Sequence, residues 1–120
     1  MDYFSFPTLQ SRQKQALIQK NYRKIYAHEL AHENAAGSIA GPIVIEKNSE
    51  GIPVGGHVSI KMPTLNENNP QQTIEQADIV IKSALAPSDP SNQDYKVASQ
   101  ARQIKAKAES LKSKKLDYYA

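Results

Sequence analysis

Residues 26–32 read Tyr26-Ala27-His28-Glu29-Leu30-Ala31-His32, within a run from Thr8 to Ala36 that has no internal Gly or Pro. That run predicts one long helix. Pro7 suits its start and Gly37 its stop. Leu9, Ala16, Leu17, Ile25, His28, His32 and Ala35 follow a roughly helical stripe along it. On a helix, residues four apart lie about 40° apart around the axis and about 6 Å apart along it. His28 and His32 therefore reach toward one point, as a shared zinc ion requires. Glu29 points about 100° away from His28, so it suits a base acting on zinc-bound water better than a third ligand. The bland reading of the same residues is a pair of helix histidines beside a glutamate.

Beyond Gly37 the pattern changes. Pro42-Ile43-Val44-Ile45-Glu46 reads as a short strand, and Ile52-Pro53-Val54 through Val58-Ser59-Ile60 as a second. Lys47-Asn48-Ser49-Glu50-Gly51 makes the turn between them. Pro53 marks the second strand as an edge strand or one bulged near Gly55-Gly56. Pro63 to Pro70 reads as a loop. A helix follows from about Pro70 to Ala86, capped by Asn69, with Ile74, Ala77, Ile81 and Ala84 on one face. A last helix runs from about Pro90 to Lys115, capped by Asp89. Its stripe of Val97, Ala101, Ile104, Ala108 and Leu111 suits packing on another helix. Leu116 to Ala120 reads as a tail. The expected fold is α+β but mainly α, a single domain over residues 1–120: the histidine helix, a hairpin, and two helices packing on the first helix, in a minimal zincin-like arrangement.

A chain of 120 residues forms one small domain, and 39% hydrophobic content without Trp makes its core thin. The absence of cysteine excludes disulfides, thiolate metal sites and thiol nucleophiles. Met1 to Leu9 lacks the pattern of a signal peptide, and no apolar run is long enough to span a bilayer, so the default location is cytoplasmic. Export by another route, or origin from a longer product, stays open. Charge is uneven. Five bases and no acid occupy residues 11–24, seven bases and one acid residues 96–115, and nine acids with three bases residues 25–95. Two solvated, Lys-rich helix faces explain this most simply. An acidic partner is the functional alternative. No basic stretch of the last helix is interleaved with aromatics, which argues against nucleic acid.

A catalytic zinc needs a third protein ligand. His57 is the first candidate, as the one remaining histidine, next to Gly55-Gly56, where the backbone can approach another element. A surface histidine on an edge strand is the plain alternative. Glu75, Asp78 and Asp89 are further candidates, and Glu33 ranks low because it faces away from the pair. Tyr22 and Tyr26 are candidate oxyanion donors, although packing is their simpler role.

Four blocks in this order resemble a known family: Tyr26-Ala27-His28-Glu29-Leu30-Ala31-His32, Val54-Gly55-Gly56-His57-Val58-Ser59-Ile60, Ala84-Leu85-Ala86-Pro87-Ser88-Asp89-Pro90-Ser91, and Gln93-Asp94 with Val97-Ala98. Together they look like the SprA-related family, bacterial proteins described as metalloproteases. The resemblance covers about residues 20 to 105. It implies a zinc peptidase-like domain with His28 and His32 as ligands and Glu29 as base. In the family pattern a Glu stands where His57 stands here, and an acid where Lys61 stands. Both Glu and His bind zinc, so the exchange is compatible with a ligand at position 57. Within the matched blocks, Asp89 has a sufficient role as a helix cap. Asp94 is a candidate to orient a zinc-bound histidine by accepting the hydrogen of its other ring nitrogen.

Two functions remain in view. The first is a zinc-dependent hydrolase, most simply a metallopeptidase acting on a peptide or protein substrate, which could add as a strand to the hairpin edge. The second is a metal-stabilised helical interaction module without catalysis, binding an acidic partner through its basic helices. Glu29 separates them, because a structural metal site has no use for that carboxylate.

Overall fold

In the structure, a computed structural model, the backbone is described for residues 8–119 and the side chains for residues 8–114. The readings of Met1–Pro7, and of the side chains from Lys115 onward, lie outside the described residues. The elements are helix α1 (Leu9–Ala36), a 3-10 turn (Gly37–Ile39), strands β1 (Ala40–Lys47) and β2 (Pro53–Ile60), and helices α2 (Pro70–Ala84) and α3 (Asn92–Tyr119). The fold is mainly helical with one antiparallel hairpin, as the sequence predicts.

Each boundary has a local cause. Thr8 accepts a hydrogen bond from the Ser11 N–H and caps α1. At the other end Gly37 adopts φ 61°, and its N–H closes onto the Glu33 carbonyl, a conformation that favours glycine. Asn69 caps α2 through the Gln72 N–H, with Pro70 in the first turn. The hairpin carries two irregularities. One lies in β1 between Ala40 and Ile43, where Pro42 sits. The other sets Glu46 and Lys47 opposite Gly55 and Pro53, leaving Val54 as the extra residue. The expected bulge therefore exists, one residue before Gly55-Gly56.

The last helix departs from its expected start. It begins at Asn92 rather than Pro90, and the cap is Ser91, whose hydroxyl accepts from the Asp94 N–H at 3.1 Å. Asp89 is thereby released from capping. The helix also continues past Lys115 to Tyr119.

The elements stack in the order hairpin, α1, α2, α3. The C-terminal half of α1 is held between the hairpin on one side and α2 on the other. Helix α3 packs chiefly on α2, not on α1 as the sequence reading had it. The α2–α3 seam is built from Ala77, Val80, Ala84, Ala98, Ala101 and Ala108, all buried. Such small side chains let the helices approach closely but bury little area each, so the core is thin. The molecule measures 86 × 21 × 20 Å. That length follows from two 28-residue helices, each about 42 Å long, with ends that project past their partners. Among the described residues, no helix is long and apolar enough to cross a membrane.

Candidate metal centre

The site is assembled on the held half of α1. His28, Glu29 and His32 each offer a ligand atom, and these atoms all lie within 4.8 Å of one another. The two imidazoles meet edge to face, with Nε2 of His28 3.2 Å from Nε2 of His32. Each ring is fixed from behind. His28 Nδ1 lies 3.1 Å from Asp89 Oδ1, in the loop before α3. His32 Nδ1 donates to the Ser83 carbonyl at 2.8 Å, and the Ser83 hydroxyl donates back to the His32 carbonyl at 2.8 Å. That reciprocal pair stitches the end of α2 to α1.

Asp94, in the first turn of α3, faces the same two Nε2 atoms. Its Oδ2 lies 3.2 Å from His28 Nε2 and its Oδ1 3.2 Å from His32 Nε2. Oδ2 also accepts the Ser91 N–H at 2.8 Å, so a reciprocal cap with Ser91 holds the carboxylate in place.

Glu29 is buried, with 6% of its surface exposed. Burial pushes its pKa above the ordinary carboxylate value, with Asp94 adding to the rise and His32 and His28 opposing it. For His28, burial disfavours the charged ring. The Asp89 hydrogen bond and the charges of Asp94, Glu29 and Asp89 outweigh it, so the His28 pKa is raised. Asp89 is lowered in turn, chiefly by its bond to His28.

The hairpin reaches this site through Gly56. A Cβ there would stand 2.7 Å from Ile25 Cγ2, 3.0 Å from the Val44 carbonyl and 3.2 Å from Glu29 Cγ. Only a glycine lets β2 lie this close to α1. Strand alternation then turns the next residue to the other face. His57 pairs across the ladder with Val44, and its Nδ1 lies 3.0 Å from Glu46 Oε1. The structure thus brings His28, Glu29, His32 and Asp94 together and leaves the His57 ring out of the cluster. Asp78 is paired with Lys105 at 2.7 Å, and Glu75 lies within reach of the Gln71 amide at 3.4 Å. Tyr22 and Tyr26 are exposed and stacked on each other at 5.8 Å rather than packed inside.

Two cavities, of about 530 and 360 Å³, share His28, Glu29 and Gly56. The first is bordered by Pro53 to Gly56 and the second by Gly56 to Val58 and Ile60, so together they follow β2 past the histidines. A further cavity of about 640 Å³ beneath the β2–α2 connection has no histidine in its wall.

Sequence reasoning missed Ser83 and placed Asp89 in another role. Ser83 gave one signal, a hydroxyl on a helix face that also carries Val80 and Ala84. Asp89 reads from the sequence as a helix cap and as a further candidate ligand, and the structure sets its carboxylate on the Nδ1 of His28 instead.

The class of the site is a histidine–carboxylate cluster on a long helix, closed by the start of another helix. The chain that carries it belongs to the SprA-related family, whose model matches residues 8–117. No curated protein and no solved structure matches it.

Proposed function

We propose that the protein is a zinc-dependent hydrolase acting on peptide bonds, in a minimal zincin-like arrangement, with His28 and His32 as metal ligands and Glu29 as general base. The observation that carries this reading is the 3.2 Å approach of two Nε2 atoms beside a buried carboxylate. Ligands on a tetrahedral zinc, at about 2.0–2.1 Å from it, stand about 3.3 Å apart. The rings already hold that spacing, and their Nδ1 atoms are occupied elsewhere, as ligating histidines require. A bound zinc supplies a water of lowered pKa and polarises the carbonyl under attack.

The rest falls to the chain's own residues. The Glu29 carboxylate takes the proton of the attacking water and returns it to the leaving amine. Its raised pKa brings it closer to the range where it can do both. The two cavities along β2 support an extended substrate, laid beside the strand with its scissile bond at Gly56.

Glu29→Gln tests the assignment. The variant keeps the fold and the zinc of the parent and loses about 10²-fold or more of its peptide-cleaving rate, the usual contribution of a general base. A zinc-loaded parent that cleaves no member of a mixed peptide library would contradict catalysis. The site would then belong to a metal-stabilised interaction module, presenting the five exposed basic residues at the start of α1 to an acidic partner.

A further inference from the structure

We propose that Asp94 is the third protein ligand of this metal centre, and that Asp89 and the Ser83 carbonyl are the groups that position its two imidazoles. The proposal rests on the metal-binding part of the reading above and adds the residues that complete it.

A carbonyl oxygen only accepts, so His32 must carry its hydrogen on Nδ1 to bond Ser83. In the neutral ring, His32 Nε2 is then a bare lone pair. It lies 3.2 Å from Asp94 Oδ1, which is also an acceptor, and 3.2 Å from His28 Nε2. His28 repeats the pattern. Its Nδ1 faces the Asp89 carboxylate, and its Nε2 lies 3.2 Å from Asp94 Oδ2. Three sets of lone pairs converge on one point. They repel one another unless a proton or a metal ion sits among them, and each of the three contacts, the two to Asp94 made by different carboxylate oxygens, lies near the edge of a zinc tetrahedron, about 3.3 Å.

Position supports the same assignment. The Asp94 side chain is 15% exposed, and the Ser91 cap holds it at the start of α3. Two imidazoles and one carboxylate make a three-ligand set with a fourth position open, the arrangement of a catalytic zinc. Glu29 stays outside that set and free to act on water. The His57 ring contacts Glu46 at 3.0 Å and is 53% exposed. Asp89 supplies what a ligating histidine needs behind it, a carboxylate on the other ring nitrogen.

The experiment is zinc affinity, measured by chelator competition on the full chain and four variants. Changing a positioning residue costs about 10–100-fold in metal affinity, so loss of a direct ligand exceeds that range. Asp94→Asn, which keeps the shape and can still cap, is expected to weaken zinc by more than ~100-fold, and Asp89→Asn by about 10-fold. Glu75→Gln and His57→Ala are expected to leave it unchanged. A second measurement needs no variant: zinc K-edge absorption of the parent should count two imidazoles.

Asp94→Asn binding zinc as tightly as Glu75→Gln, or three imidazoles in the parent spectrum, would overturn the Asp94 assignment and leave the hydrolase reading standing. A parent that takes up no zinc would overturn both.

Discussion

The two halves of α1 are one uninterrupted helix with opposite circumstances. From Thr8 to Lys20 every residue but Ile18 is exposed, including Leu9 at 71% and Leu17 at 43%. From Ile25 to Ala36 the same helix is gripped by the hairpin and α2, and it carries His28, Glu29 and His32. The first half has propensity and a Thr8 cap to hold it; the second has tertiary contacts as well. Isolated helices of this length are marginal in water, so the difference lies in packing, not in local sequence. The candidate metal centre lies where the helix is held, as a centre whose ligands must be fixed from behind requires.

Four perturbations sharpen that contrast. The largest effect expected is on pH dependence. Zinc must displace the proton of His28, whose pKa is raised above its ordinary value of 6.5. Affinity should therefore fall by about tenfold per pH unit, per proton displaced, below that raised value. The metal-free protein should respond in the opposite sense. The folded state raises the pKa of both Glu29 and His28, so the stability they contribute is full below their ordinary values of 4.5 and 6.5. It is lost as the pH rises through the raised values. Thermal unfolding with and without zinc, across pH 4 to 8, reads both slopes, and parallel profiles would contradict the assignment.

Gly56→Ala comes next. The new methyl meets Ile25, the Val44 carbonyl and Glu29, and overpacking of this kind costs about 1–3 kcal/mol. Denaturant unfolding should show the loss, and a neutral result would mean that the hairpin does not press on α1. Ser83→Ala removes a buried hydroxyl that donates to the His32 carbonyl, and should cost about 1–2 kcal/mol. The same measurement on Leu17→Ala, in the exposed half, should move stability by no more than about 0.5 kcal/mol. A larger loss there would show that something covers that half.

Much of this was legible in the sequence. The breaker-free run and Gly37 delimit α1, alternation and turn residues give the hairpin, and Asn69-Pro70 opens α2. The pairing of His28 with His32 follows from helix geometry alone. What stayed hidden has three physical causes. Periodicity shows that a face is apolar but not whether anything covers it, and the part of the stripe that holds Leu9 and Leu17 is exposed. Two glycines beside His57 signalled a close approach, yet the glycine that makes the contact is Gly56, and strand alternation then turns His57 away. The partners of the histidines lie in distant segments, Ser83 at 51 residues from His32 and Asp94 at 66 from His28. From the sequence, Asp89 reads as a helix cap and a further candidate ligand, and Asp94 as a residue that would orient a zinc-bound histidine. Only the way α3 docks shows which one faces the Nε2 atoms.

The most direct test is the thermal shift produced by zinc in the untagged chain and in His32→Ala, together with zinc content by elemental analysis. One zinc per chain in the parent, with stabilisation of about 2.7 kcal/mol at a hundredfold excess over Kd, is the result expected, and His32→Ala should show neither. A parent that binds no zinc and unfolds at the same temperature with and without it would contradict the account at its centre.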